Sequence, residues 1–207
     1  MQTIPASPQT NTQGGYTIIE LSIALTVIAI LIVAGLSGVS SLLLSSKANA
    51  QIEDSGRALA KLQAILTSTA VSGLTTAGAN GMGLFPSNRV TVSGTTTTVT
   101  NVLGGREFVA SNSVAITEGA LAIQGAVIYS LTAIPKAVCS DIASSLAAIS
   151  NSAYVSKDIT STGNDISTVP TTTGTLIKSP GGVPLGAVIG TACNSADTVG
   201  MSFVLRP

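Results

Sequence analysis

The sequence predicts an α+β chain: one long N-terminal helix, then a head of short strands with a second helix. Three observations carry this. No proline interrupts Tyr16 to about Thr69. Short runs rich in Val, Ile and Thr, bounded by Gly, Pro and Ser, follow it. Two cysteines, Cys139 and Cys193, lie far apart in that second part.

The helix has two halves. Between Met1 and Ser46 the only side-chain charge is Glu20. Leu21 to Ser46 is uncharged, and as a helix it spans about 39 Å at ~1.5 Å per residue. A bilayer core is ~30 Å thick, so this half is long enough to cross it. Its Leu, Ile and Val residues favour insertion by roughly 4–8 kcal/mol, more than the ~2.5–3.5 kcal/mol that a mid-membrane carboxylate costs. After Lys47 the pattern becomes amphipathic. Ile52, Leu59 and Leu66 recur every seven residues, with Ser55, Leu62 and Thr69 between them. This half is expected to pack on the head, and Glu53 precedes Arg57 in the order that suits a surface pair. Gly35 and Gly38 are weak helix positions. They permit bending or local melting, or they let neighbouring helices approach closely; the residues alone leave both open.

The segment from Val71 to Pro86 is rich in Gly and Thr and ends the helix. A hairpin is expected from Arg89 to Val102, turning at Ser93-Gly94. Further strands are expected at Ser113–Thr117, Leu121–Leu131, Thr175–Lys178, Ala187–Ile189 and Val199–Leu205. Pro135 opens a second helix, Lys136 to about Ser150, with Val138, Ile142, Leu146 and Ile149 on one face. Thr160–Gly186 reads as exposed loop. Cys139 falls in the first turn of the second helix and Cys193 before the last strand. Their simplest state is a disulfide made outside the cytoplasm, tying helix to strand, against two buried free thiols in a reducing compartment. As a bridge it stabilises by about 4 kcal/mol on the chain-entropy account.

Composition narrows the function. Apolar residues make up 45% and charged residues only 9%, with nine acidic and nine basic side chains. Nothing forms the basic patch that nucleic acid requires. Histidine is absent, which removes Ser-His-Asp and Cys-His catalysis and every His-containing zinc site. No phosphate-binding loop occurs. The Gly104-Gly105 and Gly181-Gly182 pairs read as turns, and Asp141, Asp158, Asp165 and Asp197 as solvated charges without calcium-loop spacing. No catalytic residue, metal site or cofactor is expected, and the chain is not expected to be an enzyme.

The apolar run admits three accounts. A cleaved secretory signal ending at Ala48-Asn49-Ala50 suffers from an over-long apolar core and no basic start. A plain signal anchor treats Glu20 as incidental. The third takes the neighbourhood of Glu20 as one motif. A short hydrophilic leader ending in Gly15, then Tyr16-Thr17-Ile18-Ile19-Glu20, then the apolar helix, resembles a type IV prepilin. The resemblance implies cleavage between Gly15 and Tyr16 by a prepilin peptidase and N-methylation of Tyr16. It makes Glu20 the fifth residue of the mature chain, where it can meet the Tyr16 amine of a neighbour and set the axial step. Two features depart from the family pattern. The leader lacks Lys and Arg, and Tyr16 stands where type IVa pilins commonly carry Phe, which points to the type IVb branch.

"PKAVCSDIASSL" and "ACNSADTVGMSFVL" resemble the two cysteine neighbourhoods of that branch, which includes toxin-coregulated, bundle-forming and conjugative thin-pilus subunits. The resemblance implies a long helix packed on an antiparallel sheet and a disulfide-bounded region from 139 to 193. The expected divisions are a leader (1–15), a transmembrane or filament-core helix (16–46), an amphipathic helix half (47–70) and an αβ head (71–207). The implied role is major pilin of a type IVb-like pilus serving adhesion, aggregation or conjugation. Its implied partners are further copies of itself in a helical homopolymer, prepilin peptidase, the inner-membrane pilus assembly machinery, and a cell-surface receptor or phage. It would pass from the bacterial inner membrane to an extracellular filament. The alternatives are a minor pilin, a type II secretion pseudopilin, and a signal-anchored membrane enzyme or binding module.

Overall fold

The computed structural model describes residues 15–68, 73–111, 116–118, 121–123, 125–156 and 174–206. The first helix, α1, runs from Ile18 to Ser68 without interruption, close to both expected ends. The chain divides at Leu42–Leu43 into two compact units.

In the second unit, the C-terminal half of α1 buries one face: Ala48, Gln51, Ser55, Ala58, Leu59, Leu62 and Leu66. The seven-residue stripe is therefore the packed one, with Ile52 and Ile65 partly buried beside it. Glu53 and Arg57 form the expected ion pair on the exposed side, where such a pair adds at most about 1 kcal/mol.

That face packs on an antiparallel sheet of seven strands. They are β1 (Val90–Ser93), β2 (Thr96–Thr100), β3 (Arg106–Ser111), β6 (Val127–Pro135), β7 (Ser152–Ser156), β8 (Thr175–Lys178) and β9 (Thr198–Leu205). The spatial order is β1-β2-β3-β6-β9-β7-β8. A separate hairpin pairs β4 (Ile116–Glu118) with β5 (Leu121–Ile123). The register of β6 on β9, Tyr129 opposite Phe203 and Leu131 opposite Met201, puts all four side chains in the core. Alternation sends Ser130 and Ser202 to the other face, where their hydroxyls bond at 3.0 Å. Helix α3 (Lys136–Ile149) and the short helices α2 (Thr76–Gly81) and α4 (Gly186–Cys193) supply further core residues, among them Val138, Ile142, Leu146, Ala79 and Ile189.

Several expectations need correction. Ala187–Ile189 is helix, not strand. The buried residues there are Ile189, Ala192 and Cys193, a helical spacing that so short an apolar run does not reveal. Leu121–Leu131 is two strands. Gly125 breaks it, with φ of +79°, a left-handed conformation incompatible with a continuing strand. The segment after α1 holds α2, whose Thr75 side chain accepts from the Gly78 N–H at 3.2 Å. Strands β3 and β7 were not expected. β3 opens on the charged pair Arg106-Glu107, of which Glu107 is almost fully buried. Ile149 remains 40% exposed, although the other three residues of its expected stripe are buried.

The expected turns at Gly104-Gly105 and Gly181-Gly182 are turns. Gly105 passes so close to the Thr132 carbonyl that a Cβ would collide with it. Residues 1–14, 113–115, 124 and 160–173, with Asp158 and Asp165, lie outside the described residues.

Candidate functional site

Gly15, Tyr16 and Thr17 precede the helix in non-helical conformation, and Tyr16 is 88% exposed. Helix initiation at Ile18 has a local cause. The Thr17 hydroxyl accepts from the Glu20 N–H at 3.3 Å, and Glu20 Oε2 accepts from the Thr17 N–H at 3.2 Å and from the Thr17 hydroxyl at 3.1 Å. This is a reciprocal capping box, which satisfies two of the N–H groups that a helix start leaves open. Glu20 therefore has a structural task within its own chain, one that the spacing Thr17-x-x-Glu20 encodes. Both bonds to its carboxylate fall on Oε2.

Beyond the cap, the helix is apolar all round. Every Ile, Leu and Val from Ile18 to Leu43 is at least 51% exposed. Three hydroxyls of this stretch turn inward: Ser22 donates to the Ile19 carbonyl at 2.8 Å, Thr26 to the Ser22 carbonyl at 2.8 Å and Ser41 to the Gly38 carbonyl at 2.9 Å. Gly35 and Gly38 have nothing within 4 Å of where a Cβ would stand. By length and composition this helix is able to cross a membrane.

The cysteines are bonded, Cys139 to Cys193, with Cα atoms 5.6 Å apart. The bridge joins α3 to α4, not to the last strand. A second clasp holds the same region. Lys178 of β8 is buried, and its Nζ donates to the carbonyls of Ala147, Ala148 and Ser150 at 2.8, 3.2 and 2.5 Å. These close the C-terminal end of α3, where the helix dipole favours a cation. Burial pushes the Lys178 ammonium below its usual pKa. Lys136 and Asp197 pair at 3.3 Å on the surface, and Asp141 is exposed.

One cluster was not anticipated. Glu107 of β3 accepts from Gln51 Nε2 at 2.8 Å, from the Tyr129 hydroxyl at 2.9 Å and from Arg89 at 3.4 Å. Ser55 bonds Gln51 at 2.7 Å and Tyr129 at 2.9 Å. Gln51 Oε1 accepts from the Val102 N–H at 2.8 Å, and Arg89 pairs with Asp54. Burial raises the Glu107 pKa above its ordinary 4.5, although Gln51, Tyr129 and Arg89 each oppose the rise. Burial, then the Glu107 charge, holds the Tyr129 hydroxyl well above 10. The available signals were slight: Gln51 and Ser55 interrupt an apolar helix face, and Glu107 shares strand parity with Val109.

The family described as the prokaryotic N-terminal methylation motif matches residues 10–36. That span contains the capping box and the start of the apolar face. No curated protein matches the chain. Among solved structures, the crystal structure of a type IV b pilin from Salmonella typhi superimposes with a TM-score of 0.52 at 12% identity, covering 77% of this chain and 99% of that one. The structure of TcpA, a type IV pilin from the Vibrio cholerae El Tor biotype, gives a TM-score of 0.46 at 14% identity, covering 75% and 98%. A prokaryotic N-terminal methylation motif thus opens a chain that has the fold of a type IVb pilin.

Proposed function

We propose that this chain is a structural subunit, the major pilin, of a type IVb-like pilus, and a peptidase substrate rather than an enzyme. The observation that carries this is the pairing of the methylation motif with a helix that is apolar on every side and unburied from Ile18 to Leu43. Such a surface needs lipid first and other helices afterwards. Residues 1–15 are the leader. Prepilin peptidase cuts between Gly15 and Tyr16 at the bacterial inner membrane, and Tyr16 is N-methylated. Residues 16–46 then anchor the subunit until the assembly machinery extracts it. Residues 47–70 join this anchor to the head, residues 71–207.

In the filament, the apolar face packs against other copies, driven by burial at ~25 cal/mol per Å². A carboxylate there is costly unless paired. Glu20 Oε2 is committed to the cap, so Oε1 receives the Tyr16 amine of the neighbour and sets the axial step. The filament carries out adhesion, aggregation or conjugation at the cell surface.

Intact-mass and N-terminal analysis of material sheared from cells tests this. The expected product starts at methylated Tyr16 and keeps the Cys139–Cys193 bridge. Material that retains the leader, or no sheared product at all, overturns it.

A further inference from the structure

We propose that Gln51, Ser55, Glu107 and Tyr129 are positioning residues that pin one turn of α1 to the sheet, and so fix the height at which each subunit carries its head. The first part stands on the cluster alone; the second rests on the filament reading above.

The Ile52-Leu59-Leu66 stripe of α1 does not by itself define a single register. Its packed stripe repeats every seven residues. A slip of one repeat, about 10 Å along the axis, would move Ile52 into the place of Leu59 and Leu59 into that of Leu66. Those sites would stay filled with aliphatic side chains, but Gln51 and Ser55 would enter the buried apolar places of Ala58 and Leu62. The polar sites would not survive. Leu44 would replace Gln51 and Ala48 would replace Ser55. Glu107, almost fully buried, would lose the 2.8 Å bond from Gln51. Tyr129, fully buried, would lose its 2.9 Å contact with Ser55. The Val102 N–H would lose its acceptor. A slip of one turn fares no better, because it places Lys47 or Ser55 where Gln51 stands.

A buried polar network left half satisfied is worse than none, so it selects against every register but one. The best-attested use of such groups is register, and their complete replacement by apolar residues is often neutral for stability. Arg89 and Asp54 flank the cluster with an ion pair of their own, which holds Arg89 beside Glu107.

The test uses the full chain in detergent, with the photo-reactive residue p-benzoylphenylalanine replacing Lys61. The Lys61 side chain reaches the Gly83 carbonyl at 2.8 Å, so the wild-type adduct forms at Met82–Gly83. In the first variant the pin is removed by Gln51→Ala, Ser55→Leu, Glu107→Leu and Tyr129→Phe, so that the slipped register still puts alanine and leucine in the places of Ala58 and Leu62. It is expected to stay folded and to give a second set of adducts. In the second variant the pin is moved one repeat by Leu44→Gln, Lys47→Asp, Ala48→Ser, Gln51→Ala and Ser55→Leu. There, a probe at Asp54 is expected to label Met82–Gly83 instead. A single wild-type adduct pattern in both variants overturns the proposal. So does loss of the folded head in the pinless chain, which would make the cluster a source of stability and not of register. Electron microscopy of filaments from the first variant reads the second part, with heads expected at two heights. If the wild-type chain forms no filament, the pilus reading fails, while the adducts still decide the pin.

Discussion

One helix serves two opposite solvents. From Ile18 to Leu43 its aliphatic side chains are all more than half exposed, whereas from Ala48 to Leu66 a single face is sealed against the sheet. The chemistry that separates them is modest. The first half has apolar residues on every side, and the hydroxyls of Ser22, Thr26 and Ser41 fold back on the backbone. The second half confines its aliphatic residues to one stripe and sets polar side chains into that stripe where buried partners wait. The first half leaves its apolar side chains exposed, whereas the second seals its stripe with its own chain.

The sharpest way to break this contrast is to place the same charge in both halves. Leu59→Asp buries an unpaired carboxylate and is expected to unfold the head, an effect above about 4 kcal/mol. Leu31→Asp should leave the head's thermal unfolding unchanged and instead weaken membrane insertion by about 3–4 kcal/mol, the cost of the carboxylate plus the lost leucine. Circular dichroism melts and a membrane-fractionation assay separate the two outcomes. Equal damage to the head from both would erase the distinction.

Next in size is the bridge. Replacing Cys139 and Cys193 with Ser should lower head stability by about 4 kcal/mol, read by urea titration. Leader removal and insertion, which depend on the first half, should be unaffected.

A smaller effect comes from Glu107. Its pKa is raised in the folded chain, so between pH 4.5 and that raised value the native state retains a proton that the unfolded chain releases. Stability should therefore fall as pH rises through the folded pKa. Melting temperatures are expected to decline as pH rises from about 4 to about 8, and Glu107→Gln should flatten that part of the profile. Tyr129 repeats the sign above pH 10.

The smallest effect on folding is expected at Glu20. Glutamine retains an acceptor for the capping box, whereas alanine does not. Both Glu20→Gln and Glu20→Ala should leave head stability within about 0.5 kcal/mol of wild type. Both should reduce the yield of sheared filaments if the charge sets the axial step. Normal yield from the glutamine variant would assign the residue to capping alone.

What was legible follows from the range of each signal. The extent of α1, the start of α3 at Pro135 and the strands at Thr175–Lys178 and Thr198–Leu205 are written in local periodicity and proline. Two cysteines in a chain with an apolar anchor leave one intramolecular pairing. The polar pin was not legible, because Gln51 finds Glu107 across 56 residues and Ser55 finds Tyr129 across 74. Each member alone looks like an ordinary polar residue. Strand β7 was missed because its ends are serines, and α4 because eight residues give too few turns for a helical period to emerge.

Lys178 carries one further consequence. Its side chain is almost wholly buried and its nitrogen bonds three carbonyls, while Lys61 and Lys136 are exposed. Amine-directed reagents should therefore discriminate among the lysines of an intact subunit, and the acylation rate at Lys178 becomes a native gauge of whether the bridged region is closed.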